Sequence, residues 1–181
     1  MALIPYDFTA PIRTERLVLR PMTLADVDAV HSYQSLTEVA EYQLFEPRSR
    51  EAVLEKITGF ASALRLESDG DYLQVAVEKS GRLIGDVYFA IRSVDSLCGE
   101  IGWTFHPDAQ GRGLGKALMV ELLERATADG HHVMLALIEA ENTASIALHT
   151  KLGFEQVGLL PEVGTKFGRW LDLAILRRTL A

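Results

Sequence analysis

The stretch His106-Pro107-Asp108-Ala109-Gln110-Gly111-Arg112-Gly113-Leu114-Gly115-Lys116-Ala117 constrains this chain more than any other. It joins a β-rich segment, Glu100 to His106, to a segment with helical periodicity, Gly113 to Ala128. Glycines at 111, 113 and 115 let the backbone approach a ligand with no Cβ in the way. The first turn of the following helix has unpaired N–H groups and a partial positive charge. Such a turn seats phosphate oxygens, and Arg112 and Lys116 add formal positive charge there. Two nucleotide patterns fail. The Walker pattern needs a glycine where Gln110 stands and a hydroxyl residue where Ala117 stands. The dinucleotide pattern needs a glycine where Lys116 stands. What remains is Gln110-x-x-Gly113-x-Gly115. The plain alternative is a tight strand-to-helix turn with no ligand, since glycine clusters are common in turns.

The rest of the chain bounds what such a turn can serve. At 181 residues the length fits one domain, expected over residues 1–181, and needs no staples to bury a core. A single cysteine, Cys98, excludes an intramolecular disulfide framework and an all-cysteine zinc site, and fits a reducing, cytoplasmic setting. The longest apolar stretch, Val133 to Ile138, is far short of the roughly 20 residues of a membrane helix. The opening MALIPYDFTAPI lacks the basic and apolar parts of a signal peptide, so neither a membrane nor a secretory route is expected. With 18 basic against 25 acidic side chains the net charge is −7, which argues against a large nucleic-acid footprint.

Coarse periodicity orders the elements. Arg16 to Arg20 reads as a first strand, and Thr23-Leu24-Ala25-Asp26 as a capped helix start. Helical spacing of Val53, Ile57, Phe60, Ala61 and Leu64 predicts a helix over Arg48 to Glu67. Tyr72 to Glu78 and Leu83 to Ile91 predict a hairpin around Lys79-Ser80-Gly81-Arg82. After the glycine turn come a helix ending at Asp129-Gly130, a buried strand over Val133 to Ile138, and a helix from Asn142 to Leu152 stopped by Gly153. Phe154 to Gly158 and Trp170 to Leu176 predict two closing strands. The order implies a mixed α/β layer architecture with at least one parallel crossover.

Gln110-x-x-Gly113-x-Gly115 resembles the pyrophosphate-binding motif of the GNAT superfamily of N-acetyltransferases, which seats acetyl-CoA. One helix, one strand and a second helix downstream, Asn142-Thr143-Ala144-Ser145-Ile146-Ala147-Leu148-His149-Thr150-Lys151-Leu152-Gly153-Phe154 resembles the same family's second signature. Two motifs in order at the right separation are far more specific than either alone. Arg13-Thr14-Glu15-Arg16-Leu17-Val18-Leu19-Arg20-Pro21 is similar to the opening of the branch that acetylates N-termini of ribosomal proteins. Gly164-x-Lys166-x-Gly168-x-Trp170-x-Asp172 resembles instead the close of the phosphinothricin-type enzymes, which acetylate an amino acid-like amine.

The resemblance implies a mixed sheet of about seven strands with about four flanking helices. It implies acetyl-CoA as co-substrate, an amine acceptor and, as is common in that family, a homodimer. It places acetyl-CoA in a splay between the strand ending at Phe105 and His106 and the strand near Val133–Ile138. Freed backbone N–H groups there would hold the thioester carbonyl. Gln110, Gly111, Arg112, Gly113, Leu114, Gly115 and Lys116 would cradle the pyrophosphate. Asn142 would bind the pantetheine arm or cap its helix, and Ser145 would face the cofactor. The acceptor pocket would be walled by Leu36–Phe45, the hairpin strands and a 160–170 loop.

Direct transfer from a thioester to an amine needs a deprotonated amine, a stabilised carbonyl oxygen and a proton for the leaving thiolate. Deprotonation at pH 7 costs roughly 1–1.4 kcal/mol for an α-amine and about 4.6 for lysine. A weak or water-relayed base therefore serves an α-amine. Glu100 matches the strand glutamate that draws this proton in several family members. Alternation puts Glu100, Gly102, Thr104 and His106 on one face and Ile101, Trp103 and Phe105 on the other. His149 stands where many relatives carry the tyrosine proposed to protonate the thiolate, either as such a donor or as packing beside the cofactor. His106, His131 and His132 lack a matching carboxylate or cysteine pattern for a metal. Trp103, Trp170, Tyr72 and Tyr88 are expected in the core or the acceptor wall. Residues and resemblance together predict an acetyl-CoA-dependent N-acetyltransferase acting on a small amino acid-like amine. A protein N-terminus is the alternative acceptor, and a non-catalytic acyl-CoA-binding module the alternative of another class.

Overall fold

The computed structural model describes residues 5–180, so the ends of the expected 1–181 domain and the first residues read for a leader lie outside them. Among the described residues two short strands come first, β1 (Tyr6–Asp7) and β2 (Ile12–Arg13), followed by β3 (Val18–Pro21). Thr23 then opens a short 3-10 turn. Its backbone N–H donates to the Asp26 carboxylate at 2.8 Å, and its hydroxyl lies 3.0 Å from the same oxygen. The helix start read from these residues is therefore present, and α1 (Val27–Gln34) and α2 (Thr37–Ala40) follow it.

The next helix, α3 (Arg50–Phe60), is capped by the Ser49 hydroxyl and ends well before Glu67. The expected helical run is corrected here. Val53 and Ile57 satisfy the core from the helix, but Leu66 reaches it only after the chain turns into β4 (Arg65–Leu66). That short strand pairs with β1, and Phe8 donates its N–H to the Leu64 carbonyl at 2.7 Å. Burial of Phe8 and Leu66 together outweighs continued helix.

The hairpin is present as β5 (Tyr72–Lys79) and β6 (Arg82–Ser93). Ser80 and Gly81 both take positive φ, as a two-residue turn matched to strand twist requires. Then come β7 (Cys98–Phe105), α4 (Leu114–Ala128), β8 (Val133–Glu139), α5 (Thr143–Lys151), β9 (Glu155–Lys166) and β10 (Arg169–Thr179). The last two strands are longer than expected and form a hairpin, so residues 160–170 are not a loop.

Among the described residues, eight strands make one sheet in the order β2-β3-β5-β6-β7-β8-β10-β9, one more than the roughly seven expected. The extra strand is the two-residue edge β2. All neighbours are antiparallel except β7 and β8, which α4 links by the expected parallel crossover. Alternation along the central strands separates two cores. Val75, Val77, Val87, Ile101 and Phe105 pack with Leu114, Leu118, Met119 and Leu123 of α4. On the other face Ala76 and Leu83 pack with Val27, Val30 and Tyr33 of α1 and with Val53 and Ile57 of α3. The sheet is thus a two-sided layer, and its one parallel seam is where the site lies.

Candidate active site

The glycine turn leaves β7 in a fixed way. His106 donates its N–H to the Ile84 carbonyl at 2.8 Å, extending the antiparallel ladder by one residue. Its Nδ1 accepts the Asp108 N–H at 3.1 Å, capping the turn Pro107–Ala109. The Gln110 amide folds back and donates to the Phe105 carbonyl at 3.1 Å, pinning the turn to the strand it leaves. Gly111 and Gly113 have φ of +69° and +71°, a conformation costing other residues about 1–2 kcal/mol. Gly113 caps α4, and the first helical bond runs from Ala117 to its carbonyl at 3.1 Å. The N–H groups of Leu114, Gly115 and Lys116 therefore have no intrahelical acceptor.

Beyond this turn the sheet opens. The parallel pairing of β7 with β8 runs from Cys98↔Val133 to Glu100↔Leu135 and stops. Because His106 bonds to β6, alternation turns the N–H groups of Trp103 and Phe105 the other way, into the gap. A cavity of about 480 Å³ occupies this splay, bordered by Gln110 to Lys116 without Arg112, and by Phe105, Asn142, Ser145 and Leu148. Asn142 caps α5, its side chain accepting the Ser145 N–H at 3.1 Å.

On the other sheet face, Glu100 enters a cleft of about 420 Å³. Its carboxylate accepts from Arg92 Nε at 2.6 Å and lies 2.6 Å from Arg92 Nη2, with the Glu100 side chain only 12% exposed. Gly102 lies next along that face, and a Cβ there would meet nothing within 4 Å, so the floor beside Glu100 is open. Tyr42, Gln43 and Trp103 border the cleft, the splay cavity and a void of about 90 Å³ between them. Cavities on the two sheet faces thus share walls at the gap where pairing stops. The expected wall at Leu36–Phe45 is present in part, since Tyr42 to Phe45 line the cleft. Residues 160–170 do not line it. They brace it, because Lys166 Nζ donates to the carbonyls of Ala40 and Gln43. Burial holds that ammonium's pKa below its ordinary value.

His149 is 2% exposed, stacked on Trp103 at 4.8 Å and edge-on to Phe154 at 5.0 Å. Its Nδ1 lies 2.8 Å from the Ser145 carbonyl, while Nε2 has no partner among the described residues. Burial lowers its pKa, and the carbonyl only partly offsets this.

Not every expected residue joins the site. His106 and Arg112 border a separate cleft with Lys79 and Arg82, behind the glycine turn. The Arg112 carbonyl there accepts from Arg16 at 3.1 Å. Trp170 is 63% exposed and Tyr72 also faces solvent, which corrects their expected place in core or wall, whereas Trp103 and Tyr88 do line the cleft. Among the described residues no group of three or more His, Cys, Asp or Glu side chains could hold a metal. No helix among them is long and apolar enough to cross a membrane.

Sequence reasoning missed Asp86, the carboxylate at the cleft's base. It accepts from Tyr33, from Gln74 and from Gln34 Nε2 at 3.1 Å. Burial pushes its pKa up against the pull of those donors. Gln34 in turn accepts from Arg48, whose guanidinium lies 3.6 Å from the Phe45 ring centre. A lone acid inside the apolar run Leu83 to Ile91 was the available signal.

A family model described as an acetyltransferase (GNAT) domain matches residues 16–155. The chain belongs to the GNAT acetyltransferase family. A phosphinothricin N-acetyltransferase of Alcaligenes faecalis is 30% identical over 167 residues, covering 90% of this GNAT chain and 81% of that protein. An L-methionine sulfoximine/L-methionine sulfone acetyltransferase of Pseudomonas paraeruginosa is 44% identical over 109 residues, 59% of this chain. That match spans 63% of the relative's own length. Among solved structures, a GNAT superfamily phosphinothricin acetyltransferase from Sinorhizobium meliloti in complex with AcCoA superposes with a TM-score of 0.70 at 31% identity. It covers 92% of this chain and 89% of that one.

Proposed function

We propose that this GNAT chain, taken as a single domain over residues 1–181, transfers the acetyl group of acetyl-CoA to the primary amine of a small amino acid-like acceptor. The observation that carries this reading is the run of cavities from the glycine turn to Glu100, sharing Tyr42, Gln43 and Trp103 as walls at the gap where β7 and β8 part. In it, the N–H groups opening α4 hold the pyrophosphate. Those of Trp103 and Phe105 stabilise the oxyanion of the tetrahedral intermediate. Glu100, directly or through a water, takes the proton of the attacking amine. Arg92 keeps that carboxylate oriented. The nitrogen attacks the thioester carbon directly, with both substrates bound, and much of the rate comes from holding them together.

Cleft chemistry supports the acceptor class. Arg48, Lys56 and Arg92 line it together with Asp86, Glu100 and Glu139. Such a mixed surface complements a zwitterion bearing both an amine and a carboxylate, whereas a basic peptide N-terminus would be better met by an acidic groove. The relatives named for phosphinothricin and methionine sulfoximine act on acceptors of that kind. The lone Cys98 fits a cytoplasmic setting.

A homodimer also belongs to this reading. Strand β9 is a sheet edge and exposes Val157, Leu159, Leu160 and Val163, a long apolar edge that invites pairing. Leu159→Lys with Val163→Lys should convert a dimer to a monomer in sedimentation.

Calorimetry with acetyl-CoA tests the donor half, with Gly115→Glu as the variant that puts an anion where pyrophosphate rests. Micromolar binding lost in the variant is expected, and no binding at millimolar acetyl-CoA would sink the reading. Coupled assays of free amino acids against an alanyl peptide test the acceptor half. Turnover of the peptide alone would move the assignment to protein N-termini, and binding without turnover of either would leave an acyl-CoA-binding module.

A further inference from the structure

Acetyl transfer needs a proton delivered to sulfur as well as one removed from nitrogen, and on the reading above Glu100 handles only the second. His149 is built the wrong way round for the first. The Ser145 carbonyl can only accept, so the ring proton sits on Nδ1, and Nε2 is a buried lone pair. A neutral His149 therefore offers the passage no N–H. Its burial also disfavours the imidazolium that would.

Three side chains border all three cavities along the passage, namely Tyr42, Gln43 and Trp103. A thioester whose pyrophosphate rests on the glycine turn, and whose carbon is attacked from the Glu100 side, carries its sulfur past them. Only Tyr42 among the three has an ionisable O–H. Its segment is held in place, since Lys166 binds the carbonyls of Ala40 and Gln43 and the Gln43 N–H returns to Ala40 at 3.0 Å. Tyr42 is 37% exposed, so solvent can restore its proton after each turnover, which a side chain as buried as His149 does not allow.

We propose that Tyr42, and not His149, protonates the departing CoA thiolate. This role rests on the acetyltransferase reading. The amine nitrogen forms its bond to the thioester carbon and loses its proton to Glu100. The carbon–sulfur bond breaks, and the sulfur takes the phenolic proton. Solvent reprotonates the phenolate and receives the proton from Glu100. The products are an amide and the CoA thiol, with no other reactant.

Tyr42→Phe removes one oxygen and keeps the ring. Its kcat should fall by about 100-fold, within the span of general acid catalysis, while its calorimetric Kd for acetyl-CoA stays within about twofold. His149→Gln should keep kcat within about threefold. A Tyr42→Phe enzyme that retains its rate, or whose Kd weakens as much as kcat falls, overturns the Tyr42 role while leaving the acetyltransferase reading intact. So does a His149→Gln protein that binds acetyl-CoA normally yet loses the same 100-fold. A wild type that binds acetyl-CoA and acetylates no amine overturns both.

Discussion

The glycine turn and the cleft proposed to take the acceptor lie on either side of one gap in the sheet, yet they are built in opposite ways. The turn is contiguous, from His106 to Ala117, and offers mainly backbone: the N–H groups at the start of α4 and two glycines with positive φ. The cleft is assembled from α1, the 42–48 segment, α3 and strands β5, β6, β7, β8 and β10, and it offers side chains of both charges. A site made of backbone recognises what is invariant in a donor, its phosphates. A site made of side chains from distant segments can be re-cut one residue at a time without disturbing the donor seat. Acceptor choice is therefore the part of such a protein free to vary.

That division predicts which changes separate the two halves. The largest effect is expected from Glu100→Gln, which keeps the shape and the hydrogen bond to Arg92 but removes the proposed base. It should lower kcat by about 100- to 1,000-fold with acetyl-CoA affinity unchanged in calorimetry. Equal loss of both would mean that the halves are not independent. Gly102→Val pushes a branched side chain into open cleft beside Glu100. The acceptor KM should rise at least about tenfold on the scale of overpacking costs, again without weakening acetyl-CoA. An unchanged acceptor KM would place the acceptor elsewhere.

Gly113→Ala works on the opposite half. Straining a φ of +71° by about 1–2 kcal/mol should weaken acetyl-CoA binding roughly tenfold. The acceptor KM at saturating acetyl-CoA should hold, and a shift there instead would break the comparison. The smallest effect concerns His149, on the wall between the halves. Burial holds its folded pKa below the ordinary imidazole value of about 6.5, so the unfolded chain takes up a proton first as pH falls. Its stabilising contribution is full above about pH 6.5 and is lost below it, at no more than about 1.4 kcal/mol per pH unit. His149→Phe should flatten the fall of melting temperature between about pH 7 and 5. Part of the slope should remain, because burial depresses His131 in the same direction. A slope identical to wild type would show that His149 is charged in the folded protein.

What could be read from residues alone follows the same division. The strand, glycine turn and helix, the second motif from Asn142 to Phe154, and the hairpin at Ser80-Gly81 rest on local chemistry: φ freedom, caps and periodicity within a few residues. They stand in the structure where the sequence puts them. Alternation alone puts Glu100 opposite Ile101, Trp103 and Phe105, and that face borders the cleft. Failures came where distant chain decides. Helix α3 ends early because Leu66 pairs with Tyr6, in a strand far earlier in the chain. Trp170 is exposed where the β9–β10 hairpin runs past the β8–β10 pairing, which begins only at Leu173. The His149 tautomer depends on a carbonyl one turn back and on the burial that removes any alternative partner. Asp86 has only the faint local signal of a lone acid in an apolar run and Tyr42 has none, since what makes each of them matter is a neighbour far away in sequence: Tyr33 and Gln34 for the carboxylate, Trp103 for the phenol. The sequence by itself determined the glycine turn and the order of elements, because backbone geometry is a local property. Only the tertiary structure decided the charged cleft around Glu100 and the buried setting of His149, because burial and charge pairing belong to segments that meet only after folding.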